Sequence, residues 1–145
     1  MNLNLNGTES IQTSPCRLWK SVIDPAVLQR SIPGCISMDE LAPGEYTITL
    51  ELKVAAVGGN FKGSVKLSEM NPPNSCLINV SGNGTLGIGK GTAHVTITAN
   101  EDDTAQITYE ADGEVSGLVA GVGQRVLIGV AKHLVRQFFA ALKKE

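Results

Sequence analysis

Leu118-Val119-Ala120-Gly121-Val122-Gly123-Gln124-Arg125-Val126-Leu127-Ile128-Gly129-Val130-Ala131-Lys132-His133-Leu134-Val135-Arg136-Gln137-Phe138-Phe139-Ala140-Ala141-Leu142-Lys143 is the stretch that decides the fold. At 100° per residue Leu127, Val130, Ala131, Leu134, Phe138, Ala141 and Leu142 fall on one arc, and Ile128, Val135 and Phe139 widen it past half the circumference. Arg125, Lys132, His133, Arg136 and Lys143 occupy the other side. A helix over this whole stretch would be about 40 Å long, and its interleaved charges exclude a membrane span. The arc is wider than a helix lying flat on a sheet needs, so a curved sheet wrapping the helix is expected.

Upstream the period changes from that of a helix to that of a strand. Tyr46, Ile48, Leu50, Leu52 and Val54 alternate with Thr47, Thr49, Glu51 and Lys53, the clearest strand in the chain. Val57-Gly58-Gly59-Asn60 is expected to break it, and Phe61, Gly63, Val65 and Leu67 then alternate up to the Asn71-Pro72-Pro73-Asn74 turn. Cys76 to Val80, Ala93 to Ile97 and Ala105 to Ala111 give three more strands with one apolar and one polar face, as in an antiparallel sheet with one side in water. A first strand is expected over Leu3 to Ile11, and a short one over Cys35 to Leu41 before the Ala42-Pro43-Gly44 turn. Between these two strands, Ser14-Pro15 opens a short helix that ends near Asp24-Pro25. A second helix runs from Pro25 to Ser31 and stops at Ile32-Pro33-Gly34.

The 145 residues suit one domain, 1–145, with one core. A net charge of −2, from 12 basic and 14 acidic residues, disfavours nucleic acid as a partner. Cys16, Cys35 and Cys76 form no Cys-x-x-Cys pair, and the N-terminus has no basic start followed by an apolar run, so a cytoplasmic chain without an export signal is expected. Gly82-Asn83-Gly84-Thr85-Leu86-Gly87 matches a dinucleotide fingerprint, but a strand follows it rather than a helix, and nucleotide binding is rejected. His94 and His133 fall on polar faces, no base stands near a cysteine, and no catalytic residue is expected.

The order of elements resembles the helix-grip fold of the START, pollen-allergen and polyketide-cyclase superfamily. A series of residues runs through the chain in order: Pro15 and Trp19; Asp24-Pro25 with Leu28; Ile32-Pro33-Gly34; Phe61-Lys62-Gly63; Gly82, Gly84, Gly87, Gly89 and Gly91; Gly113, Val115 and Gly117-Leu118; Gly123-Gln124-Arg125; and Phe138-Phe139. In these residues the chain resembles, within that superfamily, the G-subunit family of carbon monoxide dehydrogenase. The resemblance implies an α+β domain with a curved antiparallel sheet around a long C-terminal helix. It also implies a non-enzymatic carrier of a quinone or lipid, accessory to a molybdenum hydroxylase of the carbon monoxide dehydrogenase type, with no required cofactor. Longer members continue past the helix into a linker and membrane-anchoring tail, whereas this sequence stops at Glu145. Transient contact with the inner face of the membrane is the form of attachment expected. Two other readings of the same fold stand beside this one: a small cyclase or hydrolase, and a protein-binding maturation factor with a filled core.

The residues add a reason for a cavity. The chain has 16 glycines, one tryptophan, two tyrosines and three phenylalanines, so the inward positions, mainly Val, Ile, Ala and Gly, hold few rings to fill the space. A hollow on the order of a few hundred Å³ is expected, lined by Trp19, Ile32, Pro33, Tyr46, Ile48, Phe61, Val65, Tyr109, Leu127, Val130, Leu134 and Phe138. Trp19 would belong to a lid, Asp24-Pro25 and Ile32-Pro33-Gly34 would frame the mouth or serve only as helix stops, and the Tyr46 and Tyr109 hydroxyls would bond a ligand head group or else a nearby backbone carbonyl or water. Arg125, Lys132, Arg136 and Lys143 read as a solvated basic stripe.

Overall fold

The computed structural model describes residues 1–54, 57–84 and 87–144. Serine and aspartate caps set the start. Strand β1 (Asn2–Ile11) leads to helix α1 (Pro15–Ile23), whose first turn is held by Ser14, its Oγ accepting from the Arg17 N–H at 3.3 Å. Helix α2 (Pro25–Ser31) follows at once, with Asp24 Oδ1 accepting from the Ala26 N–H at 2.9 Å. Proline is the first residue of both helices, where its missing donor costs nothing.

Strands β2 (Cys35–Ala42), β3 (Glu45–Val54), β4 (Val57–Asn71), β5 (Ser75–Gly84), β6 (Gly87–Ala99) and β7 (Ala105–Ser116) complete an antiparallel sheet in the order β1-β7-β6-β5-β4-β3-β2. A 3-10 helix (Leu118–Val122) and helix α3 (Gln124–Leu142) close the chain. This is the expected helix-grip arrangement.

Two expected boundaries are corrected. Val57-Gly58-Gly59-Asn60 does not break the sheet: Gly59 pairs with Leu52 and Asn60 with Glu51, because glycine lacks a side chain but keeps the backbone groups a ladder needs. For the same reason β5, β6 and β7 run on through Gly82, Gly84, Gly87, Gly89, Gly91 and Gly113. Gly82 to Gly84 and Gly87 belong to a hairpin rather than a phosphate loop; Thr85 and Leu86 lie outside the described residues.

The terminal helix is also shorter than the sequence suggests. Gly117 (φ 95°) and Gly123 (φ 101°) adopt left-handed backbone that side chains resist, so the first turn from Leu118 is a separate 3-10 piece. Helix α3 keeps 19 residues, about 28 Å. It is tied to β1 at both ends, by Gln124 Nε2 donating to the Asn2 carbonyl at 2.8 Å and by Lys143 Nζ meeting Glu9 Oε2 at 3.0 Å.

The core thins from one end of the grip to the other. Near the end of α3, Ile11, Leu18, Trp19, Val22, Cys76, Val95, Ile97, Ile107, Phe139 and Leu142 form a closed cluster. A second cluster joins Leu28 of α2 to Met38, Tyr46, Ile48, Val65 and Leu67. Under the 3-10 helix only Val119 and Leu127, among the described residues, are fully buried, with Leu3, Leu52, Phe61, Val115, Val122 and Val130 half-buried around them.

Candidate functional site: a glycine-floored apolar cavity

The thinning follows from cross-strand register. On the concave face one row runs Ile48, Gly63, Gly82, Gly89 and Val115 across β3 to β7. The row beside it runs Tyr46, Val65, Val80, Gly91, Gly113 and Leu3. Two rows nearer the far end, the matching positions hold Cys76, Val95 and Tyr109. Five glycines therefore sit together where the closed end carries full side chains, and no packing atoms rise from the sheet there.

The result is a cavity of about 260 Å³ between these strands and α3. Its side-chain walls are Leu3, Ile48, Leu50, Leu52, Phe61, Val115, Val119, Leu127, Val130, Ala131 and Leu134. Lys62, Ser81 and Ile88 also border it, but they stand in the outward phase of their strands and meet it along the backbone. Val80 faces inward and is still 39% exposed, because nothing packs above it.

Of the expected lining, Ile48, Phe61, Leu127, Val130 and Leu134 are brought together in this wall. The others are not. Trp19 is buried in the closed cluster and forms no lid. Tyr46 and Val65 fill the second cluster, Ile32 and Phe138 pack at its margin, and Pro33 borders a separate slot beside α3. Tyr109 stacks on Phe139 at a centroid distance of 5.6 Å, and Phe138 meets Phe139 edge-on at 5.3 Å.

Neither tyrosine lines the cavity. The Tyr109 hydroxyl lies over Gly7, its cross-strand partner, where a β-carbon on residue 7 would overlap it. Burial pushes the Tyr109 pKa up, and the Glu9 carboxylate adds to this. Burial likewise raises Tyr46, with Glu40 and Asp24 adding to it.

The missed wall residues are Leu3, Leu50, Leu52, Val115, Val119 and Ala131, and the four of them on strands carry the same inward phase as residues that periodicity alone places. Only the register shows that they face the glycines. The convex face is polar, with a Ser64–Ser81 hydroxyl contact of 2.9 Å, Thr92 donating to Asn79 at 3.2 Å, and Lys90 lying 3.6 Å from Glu114. His94 and His133 do not share a burial state with the core: His133 is exposed on α3, and His94 lies on the outward face of β6. Among the described residues, no group of three or more His, Cys, Asp and Glu could hold a metal ion, and no helix is long and apolar enough to cross a membrane.

Comparison with known proteins agrees with the architecture. A conserved protein from Geobacillus kaustophilus is 32% identical, with a TM-score of 0.95 over 98% of this chain and 93% of that one. A START superfamily protein from Mycobacterium smegmatis (15% identity, TM-score 0.77, 97% and 94% covered) and Ara h 8.0201 (15%, 0.73, 99% and 97%) share the fold. No curated protein matches the chain. The model of the CoxG family, the carbon monoxide dehydrogenase G-subunit family, matches residues 7–145, and the chain belongs to that family.

Proposed function

We propose that the chain carries a lipophilic molecule, a quinone or a lipid, in the glycine-floored cavity. It serves without catalysis as an accessory to a molybdenum hydroxylase of the carbon monoxide dehydrogenase type. The observation that carries this reading is a cavity of about 260 Å³ whose side-chain walls are apolar throughout. Burial of apolar ligand surface supplies on the order of 25 cal/mol per Å² there, and no buried charge opposes it. An acid or base would have to be aimed into the cavity to run a cyclase or hydrolase reaction, and these walls offer none.

The family supports the enzyme partner, and a cytoplasmic chain meeting the inner membrane face fits the surface. Leu118, Ile88 and Val126 are 76%, 59% and 45% exposed. They lie at one end, since Ile88 pairs with Ser116 and Val126 is in the first turn of α3. Exposed apolar side chains next to a cavity suit transient contact with a lipid surface.

Organic extraction of the purified protein followed by mass spectrometry tests the reading. A stoichiometric quinone or lipid is expected. A protein that comes out empty and takes up neither class in solution contradicts it.

A further inference from the structure

The cavity has a polar neighbour. A slot of about 460 Å³ runs between α3 and the end of β3, bordered by Pro33 and Gly34 and by His133 and Gln137. Leu52 and Leu134 border both spaces, so two leucine side chains are the partition between them.

Strand β2 stops pairing with β3 at Leu50, and the Glu51 N–H then donates to the Gly34 carbonyl at 2.8 Å. In an antiparallel ladder alternate residues turn their N–H groups to the same edge, so Lys53 presents its N–H to the slot. His133 and Gln137, one helical turn apart, face the slot from α3. Among the described residues the only carboxylate on its border is Glu51, and the Lys53 N–H, the His133 ring and the Gln137 amide can each donate a hydrogen bond there.

We propose that cavity and slot form one bipartite site for a single-chain amphiphile. Its hydrocarbon part lies over the glycines, and a hydrogen-bond-accepting head, a carboxylate or a quinone carbonyl, rests against His133, Gln137 and the Lys53 N–H. This rests on the carrier reading above and adds where the head goes and how the ligand enters, sideways past Leu52 and Leu134. The cavity falls near the small end of ligand sites, so a longer molecule must extend out of it, and the slot is the adjoining space that solvates a polar end.

The test is competition binding to the full chain and to the double variant His133→Ala, Gln137→Ala. Both positions are exposed, so the fold is retained. Three probes are used: diphenylhexatriene, which has no head; laurate, with a carboxylate; and decylubiquinone, with ring carbonyls. The double variant is expected to bind at least one headed probe about tenfold more weakly, the loss of two hydrogen bonds, and diphenylhexatriene as before. Loss for laurate alone identifies a carboxylate head, and loss for decylubiquinone alone identifies a quinone. Unchanged affinity for both headed probes, with diphenylhexatriene still bound, overturns the head site and leaves the carrier reading standing. Failure of all three to bind the unaltered protein overturns both.

Discussion

Gly82 stands directly across from Gly89 in the β5–β6 ladder, and both face α3 from the concave side of the sheet. In a buried strand this pair would ordinarily hold two branched side chains packed on each other. Gly63 extends the gap into β4, so the hollow is written into three strands at one level.

The glycines of that row are not interchangeable. A β-carbon on Gly63 would overlap the Ser81 carbonyl oxygen, whereas one on Gly89 meets nothing nearer than the Glu114 carbonyl at 3.9 Å. Gly63→Ala should therefore destabilise by about 1–3 kcal/mol, and Gly89→Ala should be neutral or stabilising by about 0.5–1 kcal/mol. Urea denaturation of the two variants checks the contrast, and equal effects would contradict it.

Ser31 is 2% exposed at the end of α2, and its hydroxyl has no hydrogen-bond partner among the described residues. Removing a buried unpaired hydroxyl relieves its desolvation, so Ser31→Ala should raise stability by about 1 kcal/mol. A lower melting temperature for this variant would show that the hydroxyl is bonded in solution.

Burial pushes the Cys76 thiol above its ordinary pKa of 9.0. The folded chain keeps a proton that the unfolded chain releases, so this contribution is complete below about pH 9 and is lost as pH rises above it. Denaturation midpoints should fall on the alkaline side. Cys76→Ala should be less stable at neutral pH but show a shallower alkaline fall, and parallel pH profiles would count against this.

Tyr46→Phe and Tyr109→Phe should leave ligand affinity unchanged, because neither residue lines the cavity. Isothermal titration with decylubiquinone decides this. A loss in either variant would return the tyrosines to the site.

Much of the fold is legible in the sequence because single strands and helices announce themselves locally. Alternation from Tyr46 to Leu52 and the Ser14-Pro15 and Asp24-Pro25 starts need no knowledge of the rest of the chain. The cavity depends on relations between strands. A shortage of large inward side chains hints at a hollow, but only the pairing of Gly63 with Gly82 and of Gly82 with Gly89 locates it. Inward phase alone makes Tyr46 and Tyr109 look like lining. Phase gives the face of a sheet and not the position along and across it: Tyr109 sits at the level of Cys76 and Val95, and Tyr46 sits at the end of its row that Val65 and the second cluster fill. The long apolar arc likewise conceals the breaks at Gly117 and Gly123, since a 3-10 turn carries apolar residues as readily as a helix does.

The central claim is that missing β-carbons at Gly82 and Gly89 make the binding space, and refilling them tests it most directly. The double variant Gly82→Val, Gly89→Val places branched side chains where the nearest backbone atoms are 3.4 and 3.9 Å from the new β-carbons. Thermal unfolding and diphenylhexatriene fluorescence are measured on the same samples. The account predicts a higher melting temperature together with loss of probe binding. A variant that stays folded and still binds the probe as the unaltered chain does would contradict it.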